Sequence, residues 1–223
     1  MKNKLIIFGA GKISEVVSNY FNNDSKYKIC AYVVDNEFKS DTSFLGKPLI
    51  SEINIIENYP PSEYNCFIAV GYQMNNSFRM NKYKYFKKLG YNFVNYISSE
   101  IYVDIEVGEN VIIMDHAIVQ PKVKVGSNVF IWGGAMVGHH SILEDNCWIT
   151  GGSLIGGSSK IGNSCFLGMG SVIGHEVSIG KNSFIGASTL TTKNLRENSV
   201  VIKQDNQIHR LNTPQFIKIS KLF

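Results

Sequence analysis

The sequence predicts two folds in tandem. A small α/β domain with a Rossmann-like parallel sheet spans residues 1–97, a left-handed parallel β-helix of hexapeptide repeats spans 98–203, and a tail closes the chain at 204–223. Three observations predict this. Aliphatic residues recur at every sixth position from Ile101 to Ile185, glycine follows many of them, and the first 95 residues alternate apolar runs with amphipathic ones.

The N-terminal half is built from that alternation. KLIIFGAG (4–11) is an apolar run ending in a glycine turn, a strand and its exit. In ISEVVSNYF (13–21), Ile13, Val16, Val17, Tyr20 and Phe21 recur at helical spacing. KICAYVVDN (28–36) is a strand ending at Asp35, and CFIAVGY (66–72) is another ending in glycine. NSFRMNKYKYFKKLG (76–90) is a basic amphipathic helix closed by Gly90, and YNFVNYI (91–97) is a last strand. Ligands of parallel α/β sheets bind at the carboxyl ends of the strands. Gly9 to Lys12, Asp35 with Asn36, and Gly71 with Tyr72 fall there. GAGKIS lacks the third glycine of a dinucleotide fingerprint, having Ser14 instead. A mononucleotide, or a plain structural turn, fits it better than NAD.

The second half follows another rule. From Ile101 to Ile185, fifteen successive sixth positions are all Val, Ile or Leu, so the frame never slips. Small or β-branched residues such as Ala117, Ala135, Ser141, Cys147 and Cys165 stand two places earlier. Period six matches neither a helix nor a lone strand. It fits a chain that turns a corner every six residues, with three corners to a coil of 18. The aliphatic side chain fills a narrow prism and the small one leaves it room. Glycine after the aliphatic residue, as at Gly108, Gly126, Gly138 and Gly156, suits a crowded corner of positive φ. Cys147 and Cys165, one coil apart, suit core filler better than a disulfide.

Composition bounds the function. With 44% hydrophobic and 18% charged residues over 223, the chain is globular rather than disordered. A net charge of +4 is too small to imply a nucleic-acid partner. The lysines of NKYKYFKK (81–88) fit a solvated helix face. The apolar start breaks at Gly9, too early for a secretory segment, and no stretch approaches a membrane span. The four cysteines form no CxxC pair and no zinc spacing. The expected setting is the cytoplasm, with reduced thiols.

VGHHSILED (137–145) sets two of the five histidines side by side. Acyl transfer from a thioester to an amine or hydroxyl needs a base for the nucleophile's proton, and a neutral imidazole suits that task. The tetrahedral oxyanion needs a donor, which a corner N–H can supply. No Ser-His-Asp or Cys-His pattern calls for a covalent intermediate, so direct attack in a ternary complex is expected. His175 stands 36 residues past His139 in the same register. It should lie on the same corner two coils on, roughly 10 Å away, as a coenzyme contact or ordinary surface. His116 fits a structural role.

FGAGK, YVVDN, FIAVGY, FVNYISSE and IWGGAMVGHHSILEDNCWI, in this order, resemble one group of bacterial enzymes. These are the nucleotide-sugar acyltransferases related to the sialic-acid O-acetyltransferases and the bacillosamine-pathway N-acetyltransferases. The resemblance covers nearly the whole chain. It implies a homotrimer, acetyl-CoA as co-substrate in a groove between neighbouring β-helices, a histidine general base, a nucleotide-linked sugar on the N-terminal domain, and no metal. Residue by residue, it puts the base at His139. His140 stands where the family often has an acid, and would orient the base or touch substrate. Glu144 and Asp145 are the nearest acids in sequence that could orient His139. The resemblance puts coenzyme contacts at Trp148, Met169 and Ala187. It puts nucleotide-sugar contacts at Gly11, Lys12, Asp35, Asn36 and Gly71, although relatives carry a histidine or small residue where Lys12 stands. The ending SVVIKQDNQIHRLNTPQF departs from the family's closing loop, and Lys203, His209 and Arg210 are the candidate donors to coenzyme phosphates. The implied activity is N-acetylation of a nucleotide-linked amino sugar for surface-glycan (lipopolysaccharide O-antigen) synthesis, with sugar O-acetylation as the alternative. Gamma-class carbonic anhydrases share the fold but use an H-x4-H zinc spacing that this chain lacks. A non-catalytic scaffold is a third reading. Metal analysis and coenzyme A binding separate these.

Overall fold

The computed structural model describes residues 2–98 and 104–220; Ile101, the first repeat position, lies outside them. The N-terminal strands are β1 (Asn3–Phe8), β2 (Tyr27–Val34), β3 (Ser43–Phe44), β4 (Lys47–Ser51) and β5 (Asn65–Ile68), in the order β3-β4-β2-β1-β5. All neighbours are parallel except the β3–β4 pair at the edge. The sheet is covered by α1 (Lys12–Asn23) on one side, and by α2 (Ile55–Asn58) and α3 (Ser77–Lys88) on the other. Alternate residues of β1 therefore serve different cores. Leu5 and Ile7 pack with Val17 and Phe21 of α1, while Ile6 and Phe8 pack with Phe86 of α3.

The strand expected at 91–97 forms only in part. Phe93 makes a single bridge to Cys66, and β6 (Tyr96–Ile97) pairs with Ile112–Ile113 of the next domain. The chain thus changes sheets between these two points.

From Glu106 to Val201, two-residue strands form three sheets that run the length of a β-helix. Val107, Val125, Leu143, Ile161 and Ile179 stack in the first sheet. Ile113, Ile131, Ile149, Leu167 and Ile185 stack in the second, and Val119, Val137, Ile155 and Ile173 in the third. The period of the sequence is the register of the fold, and this interior is one continuous core. Cys147 and Cys165 are buried, free thiols, each directed at a carbonyl 3.2 Å away.

Glycine has a different reason here from the expected one. Positive φ falls three residues after the aliphatic position, at Asn110, His116, Lys122, Asn128, Gly134, His140, Asn146 and onward every sixth residue to Ser188. The glycines directly after the aliphatic residues answer to space instead. A Cβ at Gly138 would lie 2.4 Å from the Gly157 nitrogen, and one at Gly156 would lie 2.6 Å from the His175 nitrogen. The next coil's backbone leaves no place for a side chain.

Two devices join the domains. Asn110, Asn128 and Asn146 hydrogen-bond amide to amide at 2.7 Å per step, and Asn110 Oδ1 accepts from the Ile68 N–H of β5 at 2.8 Å. The corner ladder of the β-helix thereby continues into the α/β sheet. Arg79 of α3, fully buried, donates to the carbonyls of Asn146 (2.8 Å), Asn128 (3.3 Å) and Cys147 (3.4 Å). Its guanidinium carbon lies 4.9 Å from the ring centroids of both Phe130 and Trp148. Burial pulls its pKa down to about 9, so it stays charged at neutral pH with carbonyl dipoles and ring faces as partners. Among the described residues, no helix is long and apolar enough to cross a membrane.

Candidate active site

His139 follows Val137 of the third sheet and precedes Ile142 of the first, so it stands exposed on the corner between them. By register this corner carries Pro121, His139, Gly157, His175 and Lys193 on successive coils, with Lys122, His140, Ser158 and Glu176 one residue on. The His139 N–H donates to Gln120 Oε1 at 2.9 Å. His139 Nδ1 and His140 Nδ1 are 3.1 Å apart with the rings edge to face. For that contact to be a hydrogen bond, one Nδ1 carries the proton and the other is bare. If His139 donates, its Nε2 is left free to act as a base. His140 itself holds the positive φ, 59°, that recurs at this place of each turn.

Glu144 and Asp145, the acids nearest in sequence, do not reach this place. They turn the next corner, between the first and second sheets. There Glu144 accepts from the Asn163 N–H (2.9 Å) and pairs with Lys160 (2.7 Å), while Asp145 accepts from the Ser127 N–H (2.7 Å). His175 is much nearer than two coil spacings suggest, with its ring centroid 6.1 Å from that of His139. Gly157 on the coil between them has no side chain, and the His139 ring fills that space, its Nε2 only 2.9 Å from where a Cβ would sit. His175 Nε2 lies 3.4 Å from Glu176 Oε1. The sequence held the signal for this cluster, a glycine midway between two histidines in one register, but spacing alone gave roughly 10 Å where the rings are 6.1 Å apart. His140 also borders a hollow of about 410 Å³ along the first sheet, with Lys122 and Lys124 on its wall.

The α/β domain holds a separate crevice of about 230 Å³ at the carboxyl ends of β1 and β2. Gly9, Gly11 and Asp35 line it, with apolar walls from Phe8, Phe38, Val70 and Phe78. Gly9 is held at φ 124°, where a Cβ would come within 2.6 Å of the Ala69 carbonyl oxygen. Gly11 is the N-cap of α1 and no side chain caps it. Lys12 and Asn36 flank the crevice as exposed residues. Gly71 is elsewhere, buried in the joint between the domains, where its carbonyl accepts from Arg79 at 3.4 Å. Asp35 is engaged by Lys82, which also donates to Glu52 at 2.8 Å. Desolvation raises the Glu52 carboxyl above its ordinary value, and Lys82 offsets this only in part. Lys82 is therefore not on a solvated face. It shares the buried face of α3 with Phe78 and Phe86, four residues to either side.

The positions expected to meet coenzyme separate. Met169 and Ala187 are exposed on successive coils of the corner between the second and third sheets, where Ala187 and Lys203 line a hollow of about 160 Å³. Trp148 departs from the expectation. It is 2% exposed, stacked on Phe130 at 4.7 Å and covered by Tyr72 and Arg79 in the core between the domains, which leaves no ring face for a coenzyme. His209 and Arg210 are exposed in the tail. Among the described residues, no group of three His, Cys, Asp or Glu side chains is placed to hold a metal ion.

Residues 4–86 match the PglD N-terminal domain family, and residues 101–208 match the GMPPB C-terminal domain family. A comparison with curated proteins finds no match. Among solved structures, the chain is similar to a histidine-to-asparagine variant of perosamine N-acetyltransferase from Caulobacter crescentus, in complex with CoA and GDP-perosamine. The two are 22% identical over 90% of this chain and 93% of that one, with a TM-score of 0.81. It is similar also to the acetyltransferase domain of PglB from Neisseria gonorrhoeae FA1090, at 23% identity over 87% of this chain and 93% of that one, TM-score 0.77. A third likeness is to WeeI from Acinetobacter baumannii AYE, at 17% identity over 89% and 96%, TM-score 0.59. A PglD-type domain joined to a hexapeptide β-helix thus gives this chain the fold of the bacterial nucleotide-sugar acetyltransferases that its sequence resembles.

Proposed function

We propose that the chain is an acetyl-CoA-dependent N-acetyltransferase acting on a nucleotide-linked amino sugar, with His139 as general base. The observation that carries this reading is the 3.1 Å contact between His139 and His140 on an exposed corner. With His139 Nδ1–H donating to His140 Nδ1, the bare Nε2 takes the proton of the acceptor amine. The amine nitrogen attacks the thioester carbonyl, a corner N–H receives the oxyanion, and the C–S electron pair leaves with the coenzyme thiolate. His140 stands in for a carboxylate as acceptor and shares the positive charge that His139 gains.

The crevice of the α/β domain suits the nucleotide half of the sugar donor. Its aromatic walls fit a base, and the uncapped start of α1 at Gly11 and Lys12 fits phosphate. Asp35 and Asn36 stand beside it as polar contacts. Met169, Ala187 and Lys203 are the proposed coenzyme contacts, and they occupy a different corner from His139. A site that holds both is completed between neighbouring chains. The third sheet supports that assembly as a homotrimer: Ile118, Met136, Leu154, Val172 and Leu190 form an outward apolar row, with Ile118 and Leu190 50% and 67% exposed. Surface-glycan synthesis in the cytoplasm is the setting this reading implies.

The test is thiol release from acetyl-CoA with a panel of nucleotide-linked amino sugars, wild type against His139→Ala. Turnover with one donor should fall by more than about a hundredfold in the variant. Equal turnover in both would remove His139 as base. Acetylation of hydroxyl but not amino sugars would make the enzyme an O-acetyltransferase.

A further inference from the structure

Among the described residues, no carboxylate hydrogen-bonds to the base proposed above: His140 occupies the adjoining position, and Glu144 and Asp145 turn another corner. Among the described residues, the two residue rows of the His139 corner contain two acids, Asp104, which is paired with Lys122 at 2.7 Å, and Glu176. Glu176 is the one on the His175 side. It stands next to His175, and the His175 ring is the group that meets His139 across the gap left by Gly157.

We propose that His175, tied to Glu176, is a positioning residue for His139, and that the pair supplies the negative charge this imidazole needs as it becomes an imidazolium. The proposal rests on the reading of His139 as general base. Three distances carry it: 3.1 Å from His140 Nδ1 to His139 Nδ1, 6.1 Å between the His139 and His175 ring centroids, and 3.4 Å from His175 Nε2 to Glu176 Oε1. They form a row of three imidazoles closed by a carboxylate, with the catalytic one in the middle.

The row restricts His139 from both sides. His140 fixes the Nδ1 edge, and the His175 ring, inclined at 60°, fixes how far the Nε2 edge swings over Gly157. Glu176 Oε1, 3.4 Å from His175 Nε2, favours a proton on that nitrogen, and the His175 ring carries the carboxylate's neighbourhood to within 6.1 Å of the His139 ring. When His139 takes the amine proton, as the N–C bond forms and the C–S pair departs on sulfur, the new positive charge lies in the field of Glu176. The other charged groups of this corner are Lys122, paired with Asp104 at 2.7 Å, and Lys193 on the coil beyond His175. Asp104 balances Lys122, and Glu176 is the acid of these rows that stands between His139 and the Lys193 cation.

The test compares wild type, Glu176→Gln and His175→Ala by the pH dependence of kcat/KM and by NMR titration of the His139 ring. Glu176→Gln removes one negative charge from an exposed side chain and favours neutral His139. The acidic limb and the ring titration should both move down by roughly half a pH unit, the size expected of one charge acting through a wet interface. His175→Ala should move them the same way and lower kcat about tenfold, with KM for acetyl-CoA unchanged. Curves that superimpose on wild type, or that move up, overturn the proposal. So does a His175→Ala effect confined to KM. Should His175→Ala fail to fold, Glu176→Gln still decides. The ring titration needs no turnover, so a failed base assignment, seen as activity surviving in His139→Ala, is distinguishable from a failed coupling.

Discussion

A methyl group placed on Gly157 separates the demands of the fold from those of the proposed base, His139. The added carbon would sit 2.8 Å from His139 Cε1 and 2.9 Å from Nε2, and those ring atoms are its nearest neighbours. Ordinary contact needs about 3.4 Å or more, so the ring must swing aside by about 0.5–1 Å. The φ of Gly157 is not in the left-handed region, and the clash is with a side-chain tip, so the coil itself is not forced to move. A misplacement near 1 Å costs on the order of a hundredfold in rate. Gly157→Ala should therefore lose roughly 10- to 100-fold in kcat, about 1.4–2.7 kcal/mol of activation free energy, with Tm within about 3 °C of wild type. Gly138→Ala is the contrast. Its Cβ would lie 2.4 Å from a backbone nitrogen, which cannot step aside, and overpacking of that kind costs about 3 kcal/mol, or roughly 6–12 °C. Thiol-release kinetics and thermal melts on both variants check this. Full activity in Gly157→Ala, or a Tm loss equal to that of Gly138→Ala, would refute the reasoning.

Arg79→Met keeps an unbranched chain between the Phe130 and Trp148 rings but leaves the carbonyls of Asn128, Asn146 and Cys147 without their donor. Urea unfolding should show a loss of about 2–4 kcal/mol, and an unchanged midpoint would mean that the rings, not the carbonyls, hold the joint. Glu109 gives a pH signature at the same joint. Desolvation pushes its carboxyl up, but hydrogen bonds from Lys87 and Tyr83 together outweigh this and leave it below the ordinary value of 4.5. A carboxyl depressed in the folded state adds stability above its unfolded pKa and loses it as pH falls through that value and below. Wild-type Tm should therefore drop below about pH 5, and Glu109→Gln should flatten that part of the curve; parallel curves would exclude Glu109 as the cause.

The β-helix was legible because each coil imposes the same demand on the same position, so Val107 to Ile185 spell out the register of three sheets. The turn chemistry was less so. Glycine has two uses, freedom of φ and absence of a side chain, and sequence cannot say which applies at Gly138. Outward positions were harder still. Trp148 and Lys160 occupy equivalent places on two sheets, yet one lies under the α/β domain and the other in solvent. Period six locates a face without saying what covers it. The edge strand β3 and its neighbour β4 carried no such repeat, and YNFVNYI is a strand by composition that in fact crosses from one sheet to another. At the histidine corner, the positions of His139 and His175 followed from counting. Their closeness did not, because the lean of two side chains depends on an empty place between them.

The same 18-residue register fixes how such a protein can change length. Adding or removing one residue between His139 and His175 would turn every later aliphatic side chain out of the prism and carry His175 off its edge. Whole coils can be added or lost without either penalty. The separation between groups on one edge is thus quantised, and a lineage can adjust the reach of this corner only in steps of one full turn, or by choosing which turns go bare.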